Sequence, residues 1–305
     1  LPAITANQIV AHINSISAAE GIILNGGELF VNTLDANNIT FTSGTLSPLV
    51  TVTNLPDITA GRIVDLTDGG SFGDQTTLDG GTLRTNAFDY TTDKLTFTSG
   101  TVLAAGALSN FPTVGPNQII DLTPGGSFAT TVTLAGGQIN TTAFDATPHT
   151  FTAGILATTG ALTNLNSLGA GQTVALNGGS WSPSGNISAS NIQLFNDASL
   201  TVADYDASNL TFTSGTLTVG NFSASNLTFT HGTLTTTGAL TNLNALSSTA
   251  QSVVVDSGTW SPSGSIDAGL ATIQNGGTLT VGNLDATNLT LNAGTLNVTG
   301  TLTDL

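Results

Sequence analysis

The chain repeats itself, and each repeat carries a glycine at a fixed place. Aligned on a segment reading apolar-Thr-Phe-Thr-x-Gly-Thr-apolar, six copies stand out: ITFTSGTL (39–46), LTFTSGTV (95–102), HTFTAGIL (149–156), LTFTSGTL (210–217), LTFTHGTL (227–234) and LTLNAGTL (289–296). Their glycines, Gly44, Gly100, Gly154, Gly215, Gly232 and Gly294, are separated by 56, 54, 61, 17 and 62 residues. The step of 17 is one structural unit and the longer steps are about three units each. Two further copy types fill the gaps, one around Gly70, Gly126, Gly179 and Gly258, the other around Gly27, Gly81, Gly137 and Gly277. Such a chain stacks like units along one dimension, each touching mainly its neighbours.

Within a copy the alternation has the period of a strand. In LTFTSGTV, Leu95 and Phe97 face one side and Thr96 and Thr98 the other, before the glycine turns the chain. Helical spacing explains none of this, and the β-branched Thr, Val and Ile that run throughout suit a pleated surface. Short strands separated by Gly, Asn and Asp at a fixed period predict an all-β fold, a parallel β-solenoid. It has about 16 coils of about 19 residues, grouped in threes, with no evident end caps. Residues 1–305 read as a single continuous solenoid, with repeats starting near 1, 55, 111, 165 and 243 and an extra coil near 215–232.

Columns of equivalent residues follow from that stacking. Leu34-Asp35, Phe88-Asp89, Phe144-Asp145, Tyr205-Asp206, Phe222-Ser223 and Leu284-Asp285 pair an apolar core position with an Asp or Ser suited to cap a turn. Asn38, Asn209, Asn226 and Asn288 form a second column, whose stacked amides are expected to satisfy turn backbone. Several of these lie in Asn-x-Thr sequences, but the strand pattern by itself places Thr there, so they are not read as glycosylation sites.

Composition narrows the function classes. Only three cations, Arg62, Arg84 and Lys94, stand against 19 acidic residues, and the net charge of -16 removes the electrostatic basis for nucleic-acid binding. No run of eighteen apolar residues is present, so no membrane span is expected. With 39% apolar residues in an ordered pattern, the chain reads as folded. Cysteine and methionine are both absent, which leaves no disulfide framework and no thiol chemistry. Together with a start at Leu1 rather than Met, which is expected of a processed chain, this favours an extracellular or cell-surface location.

The style of GGTLTVGNLDATNLTLNAGTL (276–296) resembles the β-solenoid repeats of bacterial extracellular surface proteins, namely autotransporter passengers, filamentous-haemagglutinin-type adhesins and repeat proteins with sorting tails. The resemblance covers essentially the whole chain and rests on composition and period. It implies a right-handed parallel β-helix and a role at the cell surface.

Residues with catalytic or metal-binding chemistry are scattered. Asp204 and Asp206 are two apart and present two carboxylates on one strand face, the most enzyme-like feature of the chain. Asp206, however, belongs to a turn column that recurs through the sequence, so no enzyme activity is expected. His12, His149 and His231 show no ligand spacing. No cofactor is expected, and calcium at scattered Asp turns is the weaker alternative. GSWSPSGNI (179–187) and GTWSPSGSI (258–266) hold the two tryptophans, Trp181 and Trp260. They read either as surface aromatic loops that stack on sugars or, since Phe72 and Phe128 occupy the same column, as packing residues.

Residues 1–19 carry no Asp, Glu, Lys or Arg, so this end does not read as a polar cap. LPAITANQIV (1–10) returns as LPDITAGRIV (55–64), and Leu305 reaches the same place in the repeat. On this reading a second copy continues the solenoid through a polymer interface with Leu1, Pro2, Ile4, Ile9 and Val10 on one side and Leu296, Val298, Leu302 and Leu305 on the other. Such a head-to-tail contact does not close and builds filaments. The expected function is that of a structural subunit of an extracellular self-assembling fibre or sheath, its partner another copy of itself. The alternative is a segment of a surface adhesin stalk or passenger that binds glycans or other cells.

Overall fold

The structure is a computed structural model that describes residues 3–16, 21–111, 113–169, 171–185, 187–188, 191–241, 243 and 245–303. The chain is an all-β parallel β-solenoid of about 16 turns, about 18 residues apart. Among the described residues the only helix is the 3-10 turn Ala36–Asn38. The contacts fall into two compact units, residues 1–142 with 148–154, and residues 143–147 with 155–305.

In the first unit, the strand Ile22–Asp35 lies parallel to the strand Ile39–Thr53, pairing Leu24 with Phe41, Leu29 with Leu46 and Leu34 with Val52. Each turn thus sends an apolar side chain inward from each of three faces, and successive turns stack these into columns. One column runs Leu46, Val64, Leu83, Val102, Ile120 and Ile139, all buried. Burying a Leu or Ile of this kind stabilises by about 1.5–3 kcal/mol. The glycine of the repeat turns the chain from one face to the next. Gly44 has φ 102°, and a Cβ there would run into the carbonyl oxygen of Gly27 on the turn below. Only glycine satisfies both the left-handed conformation and that close approach.

In the second unit the extra coil is plain. The strand Ala198–Phe212 pairs with the strand Gly215–Phe229 in one register from Ala198–Gly215 to Phe212–Phe229. Turns lie about 4.8 Å apart, which is the spacing at which aromatic rings stack, so like residues one turn apart lie face to face. Phe212 and Phe229 have centroids 4.7 Å apart with parallel rings, and Tyr205 and Phe222 are 5.4 Å apart at 14°.

Strand pairing defines three columns in this unit. One runs Leu168, Ile187, Tyr205, Phe222, Leu240, Trp260, Leu279 and Leu296. A second runs Trp181, Leu200, Leu217, Leu234, Val253, Ala271 and Leu289. A third ends Leu246, Ile266, Leu284 and Leu302. The sequence columns predict that Tyr205, Phe222 and Leu284 share one line; Leu284 instead stands in another. The reason is arithmetic: the repeat step of 62 residues from Gly232 to Gly294 exceeds three turns by about one face of a turn. The repeat therefore advances by a face while the backbone ladder stays continuous.

Candidate functional site

The described residues among those expected at a polymer interface lie in the first described turns of the first unit and the last described turns of the second. The strand Ala3–Thr5 pairs with the Ile22–Asp35 strand at Ile23–Gly26, and Ile9 and Val10 stand against Glu28 and Leu29. Ile4 is buried, Val10 half-buried, and Ile9 66% exposed. In the second unit Leu296 and Val298 are half-buried and Leu302 is 40% exposed. Leu302 pairs with Leu284, which is 1% exposed, and Leu291, at 53%, pairs with Ile273, at 0%. The same columns are thus closed one turn back and open at the last described turn. Leu1, Pro2 and Leu305 lie outside the described residues.

The two tryptophans are packing residues. Trp181 and Trp260 are 2% and 1% exposed, and their indole N–H groups donate to the carbonyls of Leu165 and Leu243, each at 2.9 Å. The reading of these loops as exposed sugar-stacking platforms is corrected: each ring turns inward because its strand position faces the core of its unit, as Phe72 is buried at the matching place in the first unit. Ser182 and Ser261, which follow the tryptophans, remain exposed.

The chemistry of the acids is that of turns. Asp89 and Asp145 each accept from the backbone N–H and the hydroxyl of the Thr two residues on, Thr91 and Thr147, at 2.7–2.9 Å. Asp35 accepts from the Asn37 backbone N–H at 3.1 Å. Asp204 accepts from the Asn221 amide one turn away at 2.7 Å. Asp206 pairs in the ladder with Ser223. Among the described residues no group of three or more His, Asp or Glu side chains converges as a metal site would require. His149 is half-buried, accepts through Nδ1 from the Val132 N–H at 3.1 Å and meets Phe128 edge to face at 5.5 Å. His231 is exposed, and the side chain of His12 lies outside the described residues. Asn38 donates to the Ile16 carbonyl at 2.8 Å and Asn288 to that of Gly269 at 3.5 Å, the backbone role foreseen for their column. Asn209 donates to Asn191; the side chain of Asn226 lies outside the described residues.

A second polar ladder escaped the sequence reading. Asn54, Asn110 and Asn164 take positive φ of 52°, 57° and 58°. Each sends its amide to the turn Asp one coil below: Asn54 to Asp35 at 3.0 Å, Asn110 to Asp89 at 2.9 Å and Asn164 to Asp145 at 2.7 Å. The signal was in the sequence, as TNL, SNF and TNL at 53–55, 109–111 and 163–165, since Asn is the residue after Gly that best tolerates the left-handed region. The Asn110 amide, with help from Thr91, holds the Asp89 carboxyl down to about 2. The Asn54 amide lowers that of Asp35. Burial pushes the Tyr205 hydroxyl up, and it donates to the Asn209 carbonyl at 3.2 Å.

No helix among the described residues is long and apolar enough to cross a membrane. Comparison of the chain with protein-family models, with curated proteins and with solved structures returned no match.

Proposed function

We propose that this chain is a structural subunit of an extracellular fibre or sheath, stacking head to tail so that the turns of one copy continue those of the next. The observation that supports this reading is the way successive turns of like construction cover one another's apolar columns, which a further turn of the same kind would continue at Leu291 and Leu302. Leu291 and Leu302 are 53% and 40% exposed, while their column partners one turn back, Ile273 and Leu284, are closed. An uncovered solenoid turn presents unpaired backbone together with core side chains, and another turn of the same kind covers both. The near absence of cations and the resemblance to bacterial surface solenoids favour an exterior, mechanical role over one in which charged groups converge on a substrate. A return to the same phase in sequence does not fix the rotation between copies. Leu240 and Leu302 occupy matching places in the repeat but stand in different columns.

The test is electron microscopy and sedimentation of the purified chain over a range of concentrations. Filaments one solenoid wide, lost in a Leu302→Asp variant whose circular dichroism is unchanged, are the expected result. A folded chain that stays monodisperse at every concentration overturns the proposal and leaves the adhesin-stalk reading, which a longer reading frame with further repeats and a distinct tip domain would mark.

A further inference from the structure

One face of the second unit carries two parallel ranks of short side chains, nearly all hydroxyls, that point away from the core. The first rank runs Ser180, Ser199, Thr216, Thr233 and Ser252 on successive turns. The second, two residues further along each strand, runs Thr201, Thr218, Thr235, Val254, Thr272 and Thr290. On each strand the second rank stands between buried neighbours, as Thr218 does between Leu217 and Val219 and Thr235 between Leu234 and Thr236. Ser180, Thr201, Thr216 and Thr290 are exposed, and the rest are half-buried among like residues. No hydroxyl of either rank makes a hydrogen bond to a described residue. Neither rank holds a charged side chain, although the chain carries 19 acidic residues and a net charge of -16.

Spacing decides what such a face can hold. Turns lie about 4.8 Å apart and alternate residues of a strand about 6.6 Å apart, so the hydroxyls and γ-methyls form a nearly rectangular grid over a packed core. Threonine is stiff about χ1, so little side-chain freedom is lost when something orders against the grid. Val254 has the shape of threonine and interrupts the hydroxyls without breaking the pattern. The second rank is about 24 Å long and the whole face covers on the order of 300 Å². A stable protein interface buries about 800 Å² per partner, so this face is too small for a second copy or another folded protein. A sugar surface is met by aromatic platforms, and neither rank holds an aromatic residue.

A neutral lattice of groups that both donate and accept is matched by a neutral solid with a lattice of the same kind. Hexagonal ice presents rows of water oxygens with repeats close to both spacings of the grid. Each oxygen can donate to and accept from a hydroxyl, while the γ-methyls sit between rows. Immobilising a free water costs up to about 2 kcal/mol, but a water already in a crystal has lost that freedom. We propose that this face binds ice, with Thr216, Thr218, Thr233 and Thr235 at its centre. The inference stands apart from the fibre proposal, because the face lies along the turns of one copy.

The whole chain, kept below any concentration at which copies associate, is exposed to slowly growing ice beside a folded control protein of similar size. The fraction taken into the ice is measured, and nanolitre osmometry records the gap between melting and freezing of a single crystal. Enrichment over the control and a freezing point held below the melting point are the expected results. Thr218→Tyr with Thr235→Tyr raises two rings in the middle of the grid and should abolish both. Thr98→Tyr, at an exposed position of the first unit, should leave both unchanged. Circular dichroism checks each fold. Should the tyrosine pair fail to fold, Thr218→Ser with Thr235→Ser removes the methyls that hold the hydroxyls in place and is expected to narrow the gap roughly twofold or more. Enrichment no greater than that of the control protein, or ice binding unchanged in folded variants of Thr218 and Thr235, would overturn the proposal. So would association of copies, or retention on crystalline cellulose or chitin, that the tyrosine pair abolishes in a chain that ice does not take up.

Discussion

Trp181 and Trp260 hold matching places in the repeat but stack in different columns, Trp181 between Leu162 and Leu200 and Trp260 between Leu240 and Leu279. Each makes the same private contact, an indole N–H donated to a leucine carbonyl at 2.9 Å. Replacement of either by Phe removes that donor and leaves a void beside a buried carbonyl, which costs about 1–3 kcal/mol. The two share no ladder neighbour, so their effects should add to within about 0.5 kcal/mol. Denaturant unfolding of the two single variants and the double variant checks this, and a double variant no worse than either single would contradict it.

Thr76 is 2% exposed, and its hydroxyl has no hydrogen-bond partner. A buried, unpartnered hydroxyl costs free energy that an isosteric methyl does not. Thr76→Val, which keeps the shape and the β-branch, should raise stability by about 1 kcal/mol, read as a higher midpoint in urea. A lower midpoint would show that the hydroxyl is satisfied in solution.

In the last copy of the repeat the left-handed position moves from the glycine to its neighbour. Ala293 has φ 55°, where Gly44 and Gly100 take φ 102° and 103° in earlier copies. An alanine in that region carries about 1–2 kcal/mol of strain, part of which Gly returns through greater freedom of the unfolded chain. Ala293→Gly should therefore stabilise by about 0.5–1 kcal/mol, whereas Gly44→Ala should destabilise by more, since its Cβ also meets the Gly27 carbonyl. Thermal melts of the two variants moving in opposite directions are the expected outcome.

The solenoid was legible because glycine spacing and strand alternation are set by the backbone: Gly44, Gly100 and Gly154 must recur wherever the chain turns over the coil below. The extra coil was legible for the same reason, the 17-residue step appearing directly as the Phe212–Phe229 ladder. The rotation of the repeat by one face was not, because alternation records only inward against outward. It cannot say which of three inward columns Leu284 or Trp260 joins. The inward turn of the tryptophans was half-legible, through Phe72 and Phe128 at matching places. The Asn54, Asn110 and Asn164 ladder was written in the sequence but needs the positive φ to be read as donation to Asp one turn down.

The Asp89 carboxyl is held down to about 2 by the Asn110 amide and by Thr91, from an ordinary 3.8. A group whose folded value is depressed stabilises fully above its unfolded value and loses that contribution as pH falls through the folded one. Stability is accordingly expected to be flat in this respect above about pH 5 and to decline from about pH 4 to 2. Asn110→Ala should flatten that decline while lowering stability at neutral pH. Melting temperatures at half-unit steps from pH 2 to 7 decide the matter; identical slopes for the wild type and the variant would dismiss the ladder as the cause.

Leu279 and Leu302 separate what the fold needs from what assembly needs. Leu279 is 0% exposed, between Trp260 and Leu296, whereas Leu302 is 40% exposed above Leu284. In the isolated chain, Leu279→Ala should cost about 2–5 kcal/mol through lost burial and the cavity left behind. Leu302→Ala should cost well under half of that, because much of its side chain already meets water. If copies stack as proposed, the order reverses in assembly. Leu302→Ala raises the concentration at which filaments form by roughly tenfold or more, as expected for about 1.4 kcal/mol lost per junction. Leu279→Ala, studied at a temperature where it is still folded, leaves that concentration nearly unchanged. Sedimentation of both variants across a concentration series makes the comparison, and equal assembly thresholds in chains of equal fold would place the contact elsewhere.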